Sequence, residues 1–262
     1  MSSHGARRVG EIGLDDLAAV CRSSGQDGLP YPLGASHPRR QYDRSGHDVD
    51  LNAFREWTDA YVVADIWLSC RVHYSSDVIP DRRIFAHRAG DAGFLASQHG
   101  NDVTVSAMSA FDLGVAVAGS VGLTAPGSHR RVVVPGYVGY FADPIAVEDS
   151  DDDSVLSVRV VADQPSAPAH SVVADDKVTA IVTIQSRWQP ARRWGMDWTK
   201  DLIACVHAYA DGDYIYAPDF GHAVPVTEQA LGERIDRLIA EDITALRRRH
   251  GLASYGGGDP CI

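Results

Sequence analysis

Lysine is nearly missing from this chain of 262 residues: Lys177 and Lys200 are the only two, and every other basic residue is arginine or histidine. Positive charge is short overall, 24 Lys plus Arg against 35 Asp plus Glu, for a formal net charge of -11. Such a chain has no sequence-blind grip on nucleic-acid phosphates, and anionic membranes are disfavoured for the same reason. Long apolar runs are lacking too. Stretches such as Ala60 to Ala64 fall far short of the roughly twenty residues of a membrane span. Met1 to Glu11 carries Arg7 and Arg8 without the apolar stretch of an export signal, so the expected location is the cytoplasm. Cys21, Cys70, Cys205 and Cys261 are scattered with no C-x-x-C, which predicts reduced thiols and no disulfide framework.

Catalytic signatures are also wanting. The eleven histidines include no H-x-x-x-H pair, and there is no G-x-S-x-G elbow, no phosphate-binding G-x-x-x-x-G-K-[ST] loop and no G-x-G-x-x-G after a strand. No cofactor and no metal are expected. The acidic run Glu148 to Asp153 lacks the glycine of a calcium loop, and Val160 stands where the bidentate Glu belongs. Cys205 with His207 could form a nucleophile and base, but alternate residues on one strand face are also what ordinary packing produces.

What is present is periodic. Leu14, Leu17, Ala18 and Cys21 recur at helical spacing, with Asp15 and Asp16 early and Arg22 late. Ile66, Leu68, Cys70, Val72 and Tyr74 alternate with Trp67, Ser69, Arg71 and His73, the pattern of a half-buried strand. Strands follow at Arg82 to Arg88 and Gly93 to Gln98, then a Gly100-Asn101 turn, a strand through Val103 and Val105, and a helix capped near Ser109. The same order returns with Val178, Ala180, Val182, Ile184 and Trp188, an extended segment at Arg192-Arg193, Leu202 to Tyr209, a turn at Asp211-Gly212, Tyr214 to Ala217, and a helix capped by Thr227. Its stripe is Leu231, Ile235, Leu238, Ile239, Ile243 and Leu246, and Gly251 ends it.

The recurrence predicts an α+β fold: one central antiparallel sheet built from two duplicated halves, with helices beside it. The expected divisions of this single domain are an N-terminal half of about 1–147, an acidic and Pro-rich linker of about 148–170, a C-terminal half of about 171–252 and a tail at 253–262. Trp188, Trp194 and Trp198 crowd ten residues, with Tyr209, Tyr214 and Tyr216 downstream and Arg187, Arg192 and Arg193 among them. These serve either as sheet core or as an exposed docking surface, the two roles in which aromatics and arginine are enriched.

The stretch from Arg88 to Gln98 (Arg-Ala-Gly-Asp-Ala-Gly-Phe-Leu-Ala-Ser-Gln), its Gly100-Asn101 turn, Arg192-Arg193, Trp198, the run Tyr214 to Pro218 and the opening Leu29-Pro-Tyr-Pro-Leu33 together resemble the EspG family of type VII (ESX) secretion-associated proteins. The resemblance implies a pseudo-two-fold sheet flanked by helical bundles, and a cytosolic actinobacterial chaperone, not an enzyme. Its partner would be the PPE subunit tip of a PE/PPE heterodimer, with transient contact to the secretion-system ATPase. The expected partner-binding residues are Trp188, Trp194, Trp198, Arg187 and Arg193. A small-molecule hydrolase and an EspG-like scaffold with a non-PPE client are the alternatives.

Overall fold

A computed structural model of the chain describes residues 6–34, 54–76, 78–134, 171–188, 195–197, 200–249 and 251. The elements run in the order β1 (Arg7–Gly13), α1 (Leu14–Ser23), α2 (Arg55–Val62), β2 (Ile66–Tyr74), β3 (Arg82–Ala89), β4 (Ala92–His99), β5 (Asp102–Ser109), α3 (Leu113–Val121) and β6 (Val132–Val133). Then come β7 (Ser171–Val172), β8 (Val178–Arg187), β9 (Ile203–Ala208), β10 (Gly212–Tyr216), β11 (Ala223–Pro225) and α4 (Glu228–Arg249). All eleven strands join one sheet in the order β1-β5-β4-β3-β2-β8-β9-β10-β11-β6-β7. Its pairings are antiparallel except β6 with β7. The centre is the β2/β8 pair, in register from Trp67 opposite Arg187 to Tyr74 opposite Ala180.

Even-numbered residues of β2 and β8 face one continuous core. Ile66, Leu68, Cys70 and Val72 join Ala180, Val182 and Ile184, and over them lie Leu113, Val117 and Val121 of α3 with Leu231, Ile235, Leu238 and Ile239 of α4. The two helices cross closely because small residues meet there: a Cβ on Gly114 would fall 2.1 Å from Asp236 Oδ1. Arg82 donates from Nη1 to the Ser120 and Val121 carbonyls, placing a cation at the negative end of α3. Ser109 Oγ accepts from the Phe111 N–H of the 3-10 turn Ala110–Asp112 before α3, and Thr227 Oγ1 accepts from the Ala230 N–H at the start of α4.

The opposite face carries two cores. On the first half, α1 and α2 bury Leu17, Cys21, Phe54 and Trp57 against Phe85, Phe94, Val103 and Val105. On the second half, Val132 of β6 joins one buried cluster with Val178 and Ile181 of β8, four ladder steps away in the sheet. That cluster, and the five residues between Val172 and Val178, require this half to curl round its own core. The segment after α3 passes the β9–β10 turn, where Asp213 Oδ2 accepts from the Thr124 N–H at 2.6 Å and the Ala125 N–H at 3.2 Å. Gly127 lies against the Tyr214 ring, 1.9 Å from where a Cβ would stand, so no larger residue fits.

The expected large antiparallel sheet with mixed α+β composition is present, and the strands and helices read from the pattern stand where expected. Helices form one pair on each face. Five elements lie beyond the sequence reading: β1, which pairs with β5 at the sheet edge, α2, and the short strands β6, β7 and β11. The alternation of β8 also breaks. A bulge between Val178 and Ala180 turns Val178 into the second-half core, away from the face of Ala180. Glu148 to Asp153, Pro165 to Pro168, Arg192 and the tail lie outside the described residues.

Candidate binding surface

α3 reads LGVAVAGSV, nine residues without a charge. A helix apolar all round is normally covered all round. Here one side packs on the sheet and α4, while Phe111 just before it is 77% exposed and Val115 61% exposed, one turn apart. These two side chains form an apolar ridge on the α3/α4 side of the sheet. α4 lies alongside with a charged outer face, including Glu233, Arg237 and Glu241.

Trp188 sits on the same side. It is half-buried against the core under α4, and the Arg249 guanidinium lies 4.8 Å from its ring centroid. Arg187, its neighbour, points to the other face and is 7% exposed. Its Nε and Nη2 donate to Gln185 Oε1 at 3.0 and 2.6 Å, and Nη2 also reaches the Gly195 carbonyl. Gln185 in turn receives the Asp197 N–H at 2.8 Å and donates to the Asp197 carbonyl at 2.6 Å. Arg187 therefore holds segment 195–197 on the sheet, and its head group is spent inside the protein. Trp194, Trp198 and Arg193 lie outside the described residues. Of the downstream tyrosines, Tyr214 and Tyr216 are core, and Tyr209 is 66% exposed.

A second strap is pinned in the same way. Gln98, fully buried, accepts the Gly34 N–H at 3.0 Å and donates to the Gly34 carbonyl at 2.7 Å, and Arg83 Nη1 donates to that carbonyl at 3.0 Å. The Leu29-Pro-Tyr-Pro-Leu33 motif thus lies across the sheet face, with Tyr31 against Gly195. From the sequence, Pro30, Pro32 and Pro38 limit the stretch from Leu29 to His47 to extended or edge-strand structure; residues 29–34 form no strand and serve as a strap. The signal for it is a buried glutamine at the end of a strand, visible only once the fold is known.

Two of the described histidines join carboxylate networks beside the β9–β10 turn. His207 Nδ1 lies 2.8 Å from Asp213 Oδ1, and His129 Nδ1 lies 3.1 Å from Asp211 Oδ2. Asp211 also accepts from Ser128 Oγ and the Tyr214 hydroxyl, each at 2.5 Å; burial raises its pKa, but these bonds outweigh it and hold the carboxyl well below the usual range. The two aspartates fasten the β9–β10 turn to residues 124–129. Cys205 is fully buried, and burial pushes its thiol far above the ordinary value, the condition of an inert cysteine. His87 is fully buried among Trp57, Tyr61, Phe85 and Phe94, stacked on Phe94 with ring centroids 5.2 Å apart, and burial pulls its pKa down to about 3.

Two open grooves mark the surface. One, of about 660 Å³, is lined by Ser23, Ser24, Arg55, Asp59, Val62 and Val63; the other, of about 560 Å³, lies at the Tyr74 end of β2 beside Ile79, Asp175, Asp176 and Val178. Among the described residues no three His, Cys, Asp or Glu side chains are gathered to hold a metal ion, and no helix is long and apolar enough to cross a membrane.

No known protein family and no curated protein matches the sequence. Among solved structures, a chain in the complex of the Mycobacterium tuberculosis type VII secretion system chaperone EspG5 with the PE25-PPE41 dimer is similar over 87% of this chain and 95% of that chain, at 12% identity and a TM-score of 0.44.

Proposed function

We propose that this chain is a secretion chaperone and adaptor that holds the apolar helical tip of a PPE-type protein in the cytoplasm and presents it to the secretion-system ATPase. The observation that carries the reading is the uncovered side of α3, where Phe111 and Val115 stand exposed on a helix without charge. A client helix packed there buries its own apolar tip, which would otherwise aggregate, and gains standard helix-packing contacts. The motif resemblance noted above supplies the class of client. Trp188 borders this side, and Trp194, Trp198 and Arg193 belong to the proposed surface with it. Arg187 points to the other face and enters the proposal only as a positioning residue, since its bonds hold 195–197, which lies between Trp194 and Trp198 in the chain.

The same reading takes the two halves as copies of one ancestral unit. Its support is the order strand, strand, strand, strand, helix, running outward from the central β2/β8 pair in both directions, β2 to β5 with α3 and β8 to β11 with α4, a correspondence that matches β9 with β3 and replaces the pairing of the Gly100 turn with the Gly212 turn read from the sequence. Co-expression of 1–147 with 171–262 should then reconstitute a soluble complex.

The test is co-expression with a PE/PPE heterodimer and titration of the purified partners. Phe111→Asp with Val115→Asp should weaken binding at least tenfold while the melting temperature stays near the wild type, because exposed positions seldom contribute more than about 0.5 kcal/mol to stability. Binding equal to wild type in this double variant sinks the proposal.

A further inference from the structure

Carboxylates border the apolar ridge of α3, and we propose that the ridge seats an amphipathic helix of a partner protein whose apolar seam is flanked by lysine or arginine. That partner is the client read above, and its charge rests on the ridge being its seat. Gly114 of α3 meets Asp236 of α4, and Glu228 Oε1 lies 3.4 Å from where a Cβ on Gly119 would stand. The two helices therefore run antiparallel, with Glu228, Gly232 and Asp236 in one row against α3. Glu233 stands on the side of that row away from the sheet, since Leu231, Ile235 and Leu238 take the other side, and it accepts from the Gln229 amide at 3.0 Å. Asp112 lies between Phe111 and the first turn of α3.

None of these four acids forms an ion pair among the described residues. Asp112 and Glu228 begin their helices, where the positive helix end offsets part of each charge; Glu233 and Asp236 sit in the helix interior, beyond that help. Burial raises the Asp236 pKa, and repulsion from Asp112 adds to it against the Gly114 N–H that Asp236 accepts, so the two carboxylates stand within reach of each other. The nearby arginines are engaged or distant. Arg82, at the far end of α3, is turned onto the Ser120 and Val121 carbonyls, and Arg88 donates to the Gly90 carbonyl at 2.9 Å. Arg234 and Arg237 lie off the Glu228–Asp236 row. Arg247 begins the basic end of α4 about 16 Å beyond Asp236, farther than the roughly 8 Å over which charge is felt at physiological salt. A ridge edged in this way repels an anionic lipid surface, and it repels a second copy of this chain, whose own four acids would face these across a two-fold axis. A helix with lysine or arginine beside its seam satisfies the apolar and the charged parts at once.

The probe is a fluorescein-labelled amphipathic peptide of about 21 residues, with leucine on its seam and lysine beside it; twins carry glutamine or glutamate at the flanking positions. The full chain should bind the lysine peptide at least tenfold more tightly than the glutamine one and should not bind the glutamate one. The preference should fade as salt rises from about 50 to about 500 mM. Asp112→Asn with Glu228→Gln and Glu233→Gln should abolish it. The same loss of charge on the other face of the sheet, Asp15→Asn with Asp16→Asn and Asp59→Asn, should leave it, which separates the border from the net charge of -11. Phe111→Ser with Val115→Ser should remove binding of the lysine and glutamine peptides alike. Equal effects of the two triple variants overturn the proposal, as does equal binding of the lysine and glutamine peptides or no binding of any. Where equal binding still needs Phe111 and Val115, the ridge remains a helix seat and only its charge preference is refuted. A dimer in sedimentation that Phe111→Ser with Val115→Ser dissolves gives the ridge to a second copy and overturns the proposal too.

Discussion

The two faces of the same sheet are built on different terms. Beneath α3 and α4 the core runs unbroken across β3, β2, β8 and β9, so both halves share one apolar layer. On the other face two cores are separated by the polar residues of β2 and β8, among them Ser69, Arg71, Gln185 and Arg187. One face is united by helices that span the junction. The other is closed by local covers, α1 and α2 on one side and the sheet's own curl on the other, with straps 29–34 and 195–197 tied down between them. Cohesion between the halves therefore rests on α4 and the β2/β8 ladder, while the polar divide serves to anchor the straps.

The largest effect should come from the united face. Ile235 is fully buried under both halves, and Ile235→Ala should cost about 2 to 5 kcal/mol. Calorimetry should show one lowered transition; two separate transitions would mean that α4 does not join the halves. Next is the divide, where Gln185→Ala strips the Arg187 guanidinium and the Asp197 N–H of their acceptor at once, an expected loss of about 1 to 3 kcal/mol. Exposure of 195–197 in hydrogen exchange should rise with it, and unchanged protection there would show that the strap is held by something else.

His87 sharpens the comparison with a predicted gain. The folded state refuses a proton until about pH 3, whereas the unfolded chain takes one up near 6.5, so wild-type stability falls as pH drops through that window. His87→Phe fills the same aromatic box without a titrating group, and its advantage in melting temperature should widen as pH falls from 6.5; a gap independent of pH breaks the argument. The smallest effect belongs to Asp81. Burial raises its pKa, but the hydrogen bond from His73 and the charge of Arg71 prevail and hold it at about 2, below the ordinary 3.8. Its contribution is therefore complete above 3.8 and lost as pH falls through about 2. Asp81→Asn should lower the neutral-pH melting temperature slightly, and the difference from wild type should close over that range.

Much of the framework was legible beforehand because its signals are local. Alternation along Ile66–Tyr74 and Val178–Arg187, the Gly100 turn and the stripe of α4 each lie within one element, and each was read from neighbouring residues. α2 was not legible: Phe54 at its start offers no side-chain cap, the helix has eight residues, and its buried anchor is chiefly Trp57. Nor was β1, whose Arg7, Arg8 and Glu11 are the charges of a protected edge and mask its pairing with β5.

Among the candidate site residues, the sequence by itself determined the types: aromatics and arginines gathered after β8, an uncharged run at 113–121, and a chain short of cations. Tertiary structure alone decided their roles. Arg187 became a buried tether because the chain turns back after β8 and brings the Gly195 carbonyl onto the guanidinium that Gln185 already holds. Phe111 and Val115 became a surface because α4 covers only one side of α3. Arg71 and Arg83 came face to face through the β2/β3 register. The physical reason is common to all three: helical and strand periods are set within one element, whereas burial, register and buried hydrogen-bond partners depend on how separate segments come together, which no local pattern encodes.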